Sequence, residues 1–322
     1  MATSGSSNFN LTRNQIVQEA FALIGEYGLG RTISAEDEAR ALNALNMMVK
    51  AWSAKGTYIW STEEGVLLFA DNVGQYTLSN DSTSARACLK SDFVISELTS
   101  AHSASDTTIE VDSTTGMTAA DIVGVVLDSD VIHWTTIVSV DSSTQITLTS
   151  GLATVAANNN NVYTFTSRIT KPLKITSARL ISGIDSTTST TKTERILAPL
   201  TRQEYYELAN STSNGTPTSY YYSPDLTTGQ LNLWPRPDDP ETYLEFTYMR
   251  HLEDFDSAAD NADFPVEWLE TITYQLALRL AVIFGKETKV TLLSTVANTM
   301  FEEMKEISNQ GMKTLRLTPY RR

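Results

Sequence analysis

Cysteine is nearly absent from this chain. Cys88 stands alone, which leaves no intrachain disulfide and no cysteine-based metal cluster. A lone thiol of this kind reads as a small, half-buried apolar residue. Histidine is almost as scarce: His102, His133 and His251 lie far apart, and none has a second His or Cys at metal-ligand spacing. No apolar run reaches the roughly 18–20 residues that span a bilayer, so no membrane partner is expected. Met1 to Asn10 is small and polar, without the charged-then-apolar order of a secretory signal, which argues against a secretory route. Catalytic motifs are missing too. There is no Gly-x-Ser-x-Gly elbow, no phosphate-cradling Gly-rich loop and no His-Glu-x-x-His helix, and neither a catalytic residue nor a cofactor or metal is expected.

Positive charge is the scarcest feature of one segment. From Ser91 to Ser167 there is no Lys or Arg, whereas Gln310 to Arg322 carries Lys313, Arg316, Arg321 and Arg322 and no acid. Two segments with such different electrostatics are expected to meet different partners. Over the whole chain 24 Lys and Arg face 38 Asp and Glu, a formal net charge of −14. That balance excludes general adhesion along nucleic acid, where phosphates must be neutralised by clustered cations. It is compatible with a protein that lets DNA pass without sticking.

What is present is a globular composition of 322 residues, 41% hydrophobic and 19% charged, with ample length for a core. Helical signals sit at both ends. Thr12-x-x-Gln15 is a capping box ahead of Ile16, Val17, Ala20, Phe21, Ile24 and Tyr27, with Gly28 and Gly30 as the stop. A second helix opens near Ser34, carries Glu36, Asp37 and Glu38 in its first turn and the stripe Leu42, Leu45, Met48, Val49 and Trp52, and stops at Gly56. Near the far end Pro265 suits a first helical turn ahead of Trp268, Leu269, Ile272, Leu276 and Leu280. After Gly285 a fourth helix spans about Lys286 to Ser308. Four amphipathic helices, two from each terminus, bury their stripes by packing together, which predicts a four-helix bundle.

Between them the chain is β-rich. Gly65–Ala70, Gln75–Leu78, Leu173–Leu180, Arg195–Ala198, Gln230–Leu233 and Tyr243–Met249 read as strands, interrupted by a short helix after a second capping box, Thr201-x-x-Glu204. The Lys- and Arg-free segment alternates Ser, Thr and Asp with β-branched and aromatic residues and has frequent turns, the mark of a small antiparallel barrel or sandwich. The expected fold is therefore α+β: a core of 1–90 and 168–310 made of the bundle and a central antiparallel β layer, an inserted all-β domain of 91–167, and a terminal segment of 311–322.

Three stretches invite a functional reading. Glu253, Asp254, Asp256, Asp260 and Asp263 suggest calcium but lack its loop spacing, and a solvated loop before a helix N-terminus explains them better. Tyr220, Tyr221 and Tyr222 suit an interface and equally suit a strand with one buried face. "LNLWPRPDDPETYLEFTYMR", Leu231 to Arg250, holds Trp234 beside Pro235 and Pro237 and reads as a hairpin with Leu231 and Leu233 inward. A glycosidase carboxylate pair is defined by its separation in space, and nothing in the sequence points to one.

In order, "TRQEYYELAN", "NGTPTSYYY", "GQLNLWPRPDD", "YLEFTYMRHLEDF" and "DFPVEWLETITYQLALRLAVIFG" resemble the head-to-tail adaptor, or tail accessory and packaged-DNA-stabilisation, proteins of short-tailed bacteriophages. Trp234, Pro235, Pro237, Pro265 and Trp268 carry its most specific motifs and are expected to be structural anchors. The N-terminal helix pair is similar as well; the β insertion is not part of the likeness. The resemblance implies a non-catalytic virion protein of the neck, made in the host cytoplasm, that forms a ring, typically of twelve copies, beneath the portal protein. It would extend the DNA channel without specific DNA binding and serve as a platform for downstream tail nozzle or fibre proteins. The matching arm, expected to dock on the portal, comprises Met312, Lys313, Thr314, Leu315, Arg316, Leu317, Thr318, Pro319, Tyr320, Arg321 and Arg322. The alternatives are a carbohydrate-binding or adhesin-like virion component, drawn from the Ser/Thr-rich insertion, and an enzyme acting on polysaccharide.

Overall fold

The computed structural model describes residues 9–27, 32–55, 59–80, 86–183 and 192–309. Its elements in chain order are α1 (Arg13–Ile24), α2 (Ala35–Lys55), β1 (Thr62–Leu68), β2 (Gln75–Leu78), β3 (Ala87–Leu89), β4 (Val94–Glu97), β5 (Thr108–Glu110), β6 (Ile122–Val126), β7 (Ile132–Ser142), β8 (Gln145–Leu148) and β9 (Asn161–Phe165). They continue with β10 (Lys174–Ser182), β11 (Thr193–Ile196), β12 (Ala198–Pro199), α3 (Arg202–Tyr206), β13 (Ser219–Pro224), β14 (Gly229–Trp234), β15 (Tyr243–Met249), α4 (Trp268–Ile283) and α5 (Glu287–Asn309). The fold is mixed α+β, and the chain divides into a helical unit (up to Ser61, and from His251) and a β-rich unit, Thr62–Arg250.

In the helical unit α1, α2, α4 and α5 contribute to one buried cluster. α4 is apolar on most of its surface, and it packs on α1, α2 and α5. Ile272, Leu276, Ala277 and Leu280 are fully buried between them. Five aromatic rings, Trp52, Trp60, Phe264, Trp268 and Phe301, meet with centroids 5.0–6.1 Å apart, in the range of favourable edge and offset contacts.

The predicted start of α1 is found in full: Thr12 Oγ1 accepts from the Gln15 amide, and Gln15 Oε1 accepts from the Thr12 amide. Its end differs from the sequence reading. Gly25 adopts φ +72° and its N–H returns to Phe21 and Ala22, so the helix stops there, three residues before Gly28. Gly28 and Gly30 lie outside the described residues, as does Gly56. Tyr27, beyond the cap, packs edge-on against Phe21 and donates its hydroxyl proton to Asp37 at the start of α2. Pro265 falls in the turn before α4; the Trp268 amide bonds its carbonyl, and the first helical residue is Trp268.

In the β-rich unit a five-stranded sheet runs β11-β10-β15-β1-β3, a four-stranded sheet β12-β13-β14-β2 and a six-stranded sheet β4-β9-β6-β7-β8-β5. Among the named strands pairing is antiparallel except between β12 and β13. β1 explains the arrangement: Leu67, with Phe69 after it, joins the core shared with the four-stranded sheet, while Val66 and Leu68 join a core shared with residues of the six-stranded sheet. A strand covered on both faces reads as a continuous apolar run, here "GVLLFA". Gly65 is required in it because a Cβ there would sit 2.8 Å from the Phe246 ring. Cys88 is fully buried in the second of these cores and not half-buried, and burial pushes its thiol pKa up.

The six-stranded sheet curls round its own core of Ile109, Val123, Val125, Ile146 and Val162. Its end strands approach each other through the Leu98–Val111 bridge, with Thr99 N–H donating to Glu110 and Asp112 N–H to Glu97. The expected strand Arg195–Ala198 proves to be two pieces in different sheets, β11 and β12, with buried Leu197 as the crossing point. The short helix expected after Thr201 runs from Arg202 to Tyr206, and its capping box at Thr201 and Glu204 is formed.

Candidate functional site

Histidine chemistry is the first possibility to weigh. Ser100, His102 and Asp106 lie together: Ser100 Oγ is 3.4 Å from His102 Nε2, and Nδ1 is 3.7 Å from Asp106. Catalysis would need Nε2 free to take the serine proton. Instead Nε2 accepts the Glu110 amide at 3.2 Å, and the Ser100 hydroxyl donates to Glu110 Oε2. The trio ties a turn to β5. His133 sits in β7 with Nε2 3.5 Å from Ser150 Oγ.

Among the described residues no group of His, Cys, Asp or Glu is placed to hold a metal ion, and no helix is long and apolar enough to cross a membrane. The acidic stretch does not converge on a point. Asp263 accepts the Glu253 amide, Asp260 accepts the amides of Asp256 and Ser257, and Asp254 pairs with Lys50 at 2.6 Å. These carboxylates serve as loop caps ahead of α4.

The tyrosines divide by strand parity. Tyr220 points into the core, Tyr221 stacks on Tyr205 with centroids 5.6 Å apart, and the Tyr222 hydroxyl donates to the Pro172 carbonyl. Tyr206 is exposed, with the Arg202 guanidinium 5.7 Å above its ring. Trp234 closes β14 opposite Ser219, and its Nε1 donates to the Asn210 carbonyl at 2.8 Å. Trp234–Pro235 is a cis peptide. Leu231 and Leu233 are fully buried, but the stretch is not the expected hairpin. β14 pairs with β13 and β2, whereas β15 pairs with β1 and β10 in the five-stranded sheet, so the prolines carry the chain from one sheet to the other. Pro237 accepts the Asn72 amide, and Arg236 between the prolines exchanges backbone bonds with Ser213 and Gly215. The structure thus ties Trp234 and Arg236 to the loop Asn210–Gly215 and Pro237 to Asn72, all in the β-rich unit, while Pro265 and Trp268 belong to the helical unit. Met312–Arg322 lies outside the described residues.

The sequence reading missed a ladder of charges across one face of the five-stranded sheet. Lys90 pairs with Glu64 (2.8 Å) and Glu245 (3.2 Å), Arg179 with Glu245 (2.9 Å) and Glu194 (3.3 Å), and Lys192 with Glu194 (2.5 Å). The sign alternates at every step. The Glu245 side chain is 9% exposed at the centre, and a cavity of about 240 Å³ lies over Glu64, Arg179, Glu245 and Ile196. The visible signal was Glu245 itself, a charge inside the otherwise apolar strand "YLEFTYM".

The ladder makes a pH prediction. The hydrogen bond from Lys90 holds the Glu64 carboxyl below the usual range. A carboxyl depressed in the folded state stabilises the fold above its unfolded value of about 4.3, and that contribution fades as the pH falls through the folded value. In Lys90→Met, which keeps the stem but not the charge, the thermal midpoint falls by a few degrees at pH 7. The gap to the unaltered protein narrows below about pH 4. Parallel midpoint curves over that range contradict the assignment.

Comparison with known proteins supplies one match. The family model described as SU10 adaptor protein matches residues 105–322, about two thirds of the chain. No curated protein matches the sequence.

Proposed function

Given that the chain belongs to the SU10 adaptor protein family, a family of structural phage adaptors, we propose that it forms a ring beneath the portal of a filled phage head. The ring, of about twelve copies by the resemblance noted above, extends the DNA channel and is the platform for downstream tail proteins. The observation that carries this reading is the family match, which runs to the last residue and so includes the basic segment Met312–Arg322. We read that segment as the arm that docks on the portal, and Trp234, Pro235, Pro237, Pro265 and Trp268 as packing anchors. Residues 1–90 and 168–310 are read as the adaptor core, with the four long helices as its bundle, and 91–167 as an insertion into it.

Charge supports passage of DNA rather than adhesion. Between Ser91 and Ser167 the nine carboxylates Asp92, Glu97, Asp106, Glu110, Asp112, Asp121, Asp128, Asp130 and Asp141 face no Lys or Arg. A wall of that sign repels phosphate. The test is the mass of the assembly with and without portal. A species of many adaptor copies per portal ring is expected, and a single copy or none at saturating protein contradicts the reading.

A further inference from the structure

α5 carries more apolar surface than its own unit covers. Val290, Leu293, Phe301 and Met304 face the shared core, and Ala297 on the same side is fully buried. At roughly 100° per residue, Leu292, Val296, Met300 and Ile307 fall within an arc of about 80° beside that stripe. Leu292 is 67% and Ile307 55% exposed. α2 has an outer face of the opposite character. With Ala41, Leu45, Met48 and Trp52 buried, Ala39, Asn43, Met47 and Ala54 look outward, and Met47 is 63% exposed.

The two faces match in spacing and in charge. Leu292, Val296, Met300 and Ile307 follow one another at intervals of 4, 4 and 7, and so do Ala39, Asn43, Met47 and Ala54. Three residues before the first member stand Lys289 on α5 and Glu36 on α2; three after the third stand Glu303 on α5 and Lys50 on α2. Laid parallel with Leu292 beside Ala39, the helices set Lys289 against Glu36 and Glu303 against Lys50, and large side chains largely against small ones. An antiparallel alignment with the stripes superposed, Leu292 beside Met47 and Met300 beside Ala39, sets Lys289 against Lys50 and Glu303 against Glu36, like charge on like. The ion pairs these groups now make are solvent-accessible ones: Glu36 pairs with Arg40 one turn on and Lys50 with Asp254, while Lys50 also donates to the Leu252 carbonyl and Lys289 to the Leu23 carbonyl.

One copy cannot make this contact with itself. Trp52 of α2 lies 5.0 Å from Phe301 of α5 across the core, so the two outer faces look away from each other. We infer that the outer stripe of α5 docks on the outer face of α2 of a second copy, as the lateral contact of the ring; this rests on the ring proposed above. The contact is heterologous, each copy offering one face and accepting the other, which is the kind of interface that closes into rings. Direction agrees. Lys286 pairs with Glu26 and Tyr27 bonds Asp37, so α2 and α5 begin at the same end of the unit, and Trp52 and Phe301 bring their later turns together. Rotation about an axis along the helices preserves that parallel sense.

The test is a disulfide across the contact in the full chain bound to portal. Ala39→Cys with Leu292→Cys, treated with diamide, gives up two thiol protons and two electrons to the oxidant and forms one S–S bond between neighbouring copies. Cys88 is fully buried and gives no background. A reducible ladder of covalent multimers is expected. Ala39→Cys with Ile307→Cys, about 22 Å out of register, gives none, since bridged Cα atoms lie within about 7 Å. Leu292→Glu lowers the fraction of ring-bearing portals at least tenfold with an unchanged thermal midpoint. Rings seen by imaging but without a ladder, or with equal ladders from both pairs, overturn the inference and leave the adaptor reading standing; so do normal rings in Leu292→Glu. No ring of the unaltered protein on portal overturns both.

Discussion

Removal of Met312–Arg322 is expected to abolish attachment to the portal while the helical unit still folds. The segment holds Lys313, Arg316, Arg321 and Arg322 without an acid, and it holds Leu315, Leu317 and Tyr320 for apolar contact. An arm that orders on binding loses its whole interface when deleted. A drop in affinity of at least a hundredfold, about 2.7 kcal/mol, is the expected size. Among the described residues the buried helical cluster extends no further than Met304, and the thermal midpoint is expected to stay where it was. Exchanging the four cations for Gln separates charge from apolar contact, and the part due to charge weakens as salt is raised. Attachment unchanged by the truncation contradicts the assignment of the arm.

Trp268→Ala is expected to give the largest loss of stability of any single change considered. Trp268 is almost wholly buried and touches the rings of Trp52, Trp60, Phe264 and Phe301. Truncating it removes a large apolar surface and leaves a cavity among groups anchored on different helices, a cost of about 3–5 kcal/mol. Urea unfolding followed by far-ultraviolet circular dichroism reads this as a lower midpoint for the transition that carries the helical signal. Trp268→Phe keeps part of the packing and gives a smaller shift. A helical transition that does not move in Trp268→Ala contradicts the role of this ring as the anchor of the cluster.

Local signals were the legible ones. Both capping boxes, at Thr12 and Thr201, are formed because they depend on residues three apart. Gln75–Leu78 and Tyr243–Met249 are strands with the bounds expected from alternation. The misreadings share a cause. Gly25, not Gly28, ends α1 because the left-handed cap falls at the first glycine after the apolar stripe, while Tyr27 is used in a contact that spacing could not show. Arg195–Ala198 was read as one strand because nothing local marks Leu197 as the step between sheets; that division is made by β10 on one side and β13 on the other. The charge ladder was invisible for the same reason. Glu64, Lys90, Arg179, Glu194 and Glu245 are spread over 182 positions and meet only through strand order. Function was legible through the order of motifs from Thr201 to Gly285, since an adaptor has surfaces where an enzyme has a constellation.

Single-particle imaging of the purified protein mixed with the portal tests the central claim most directly. The account predicts a ring of adaptor density, of the order of twelve copies, coaxial with the portal and continuing its channel. Portal rings that stay bare while the adaptor remains monomeric would contradict it.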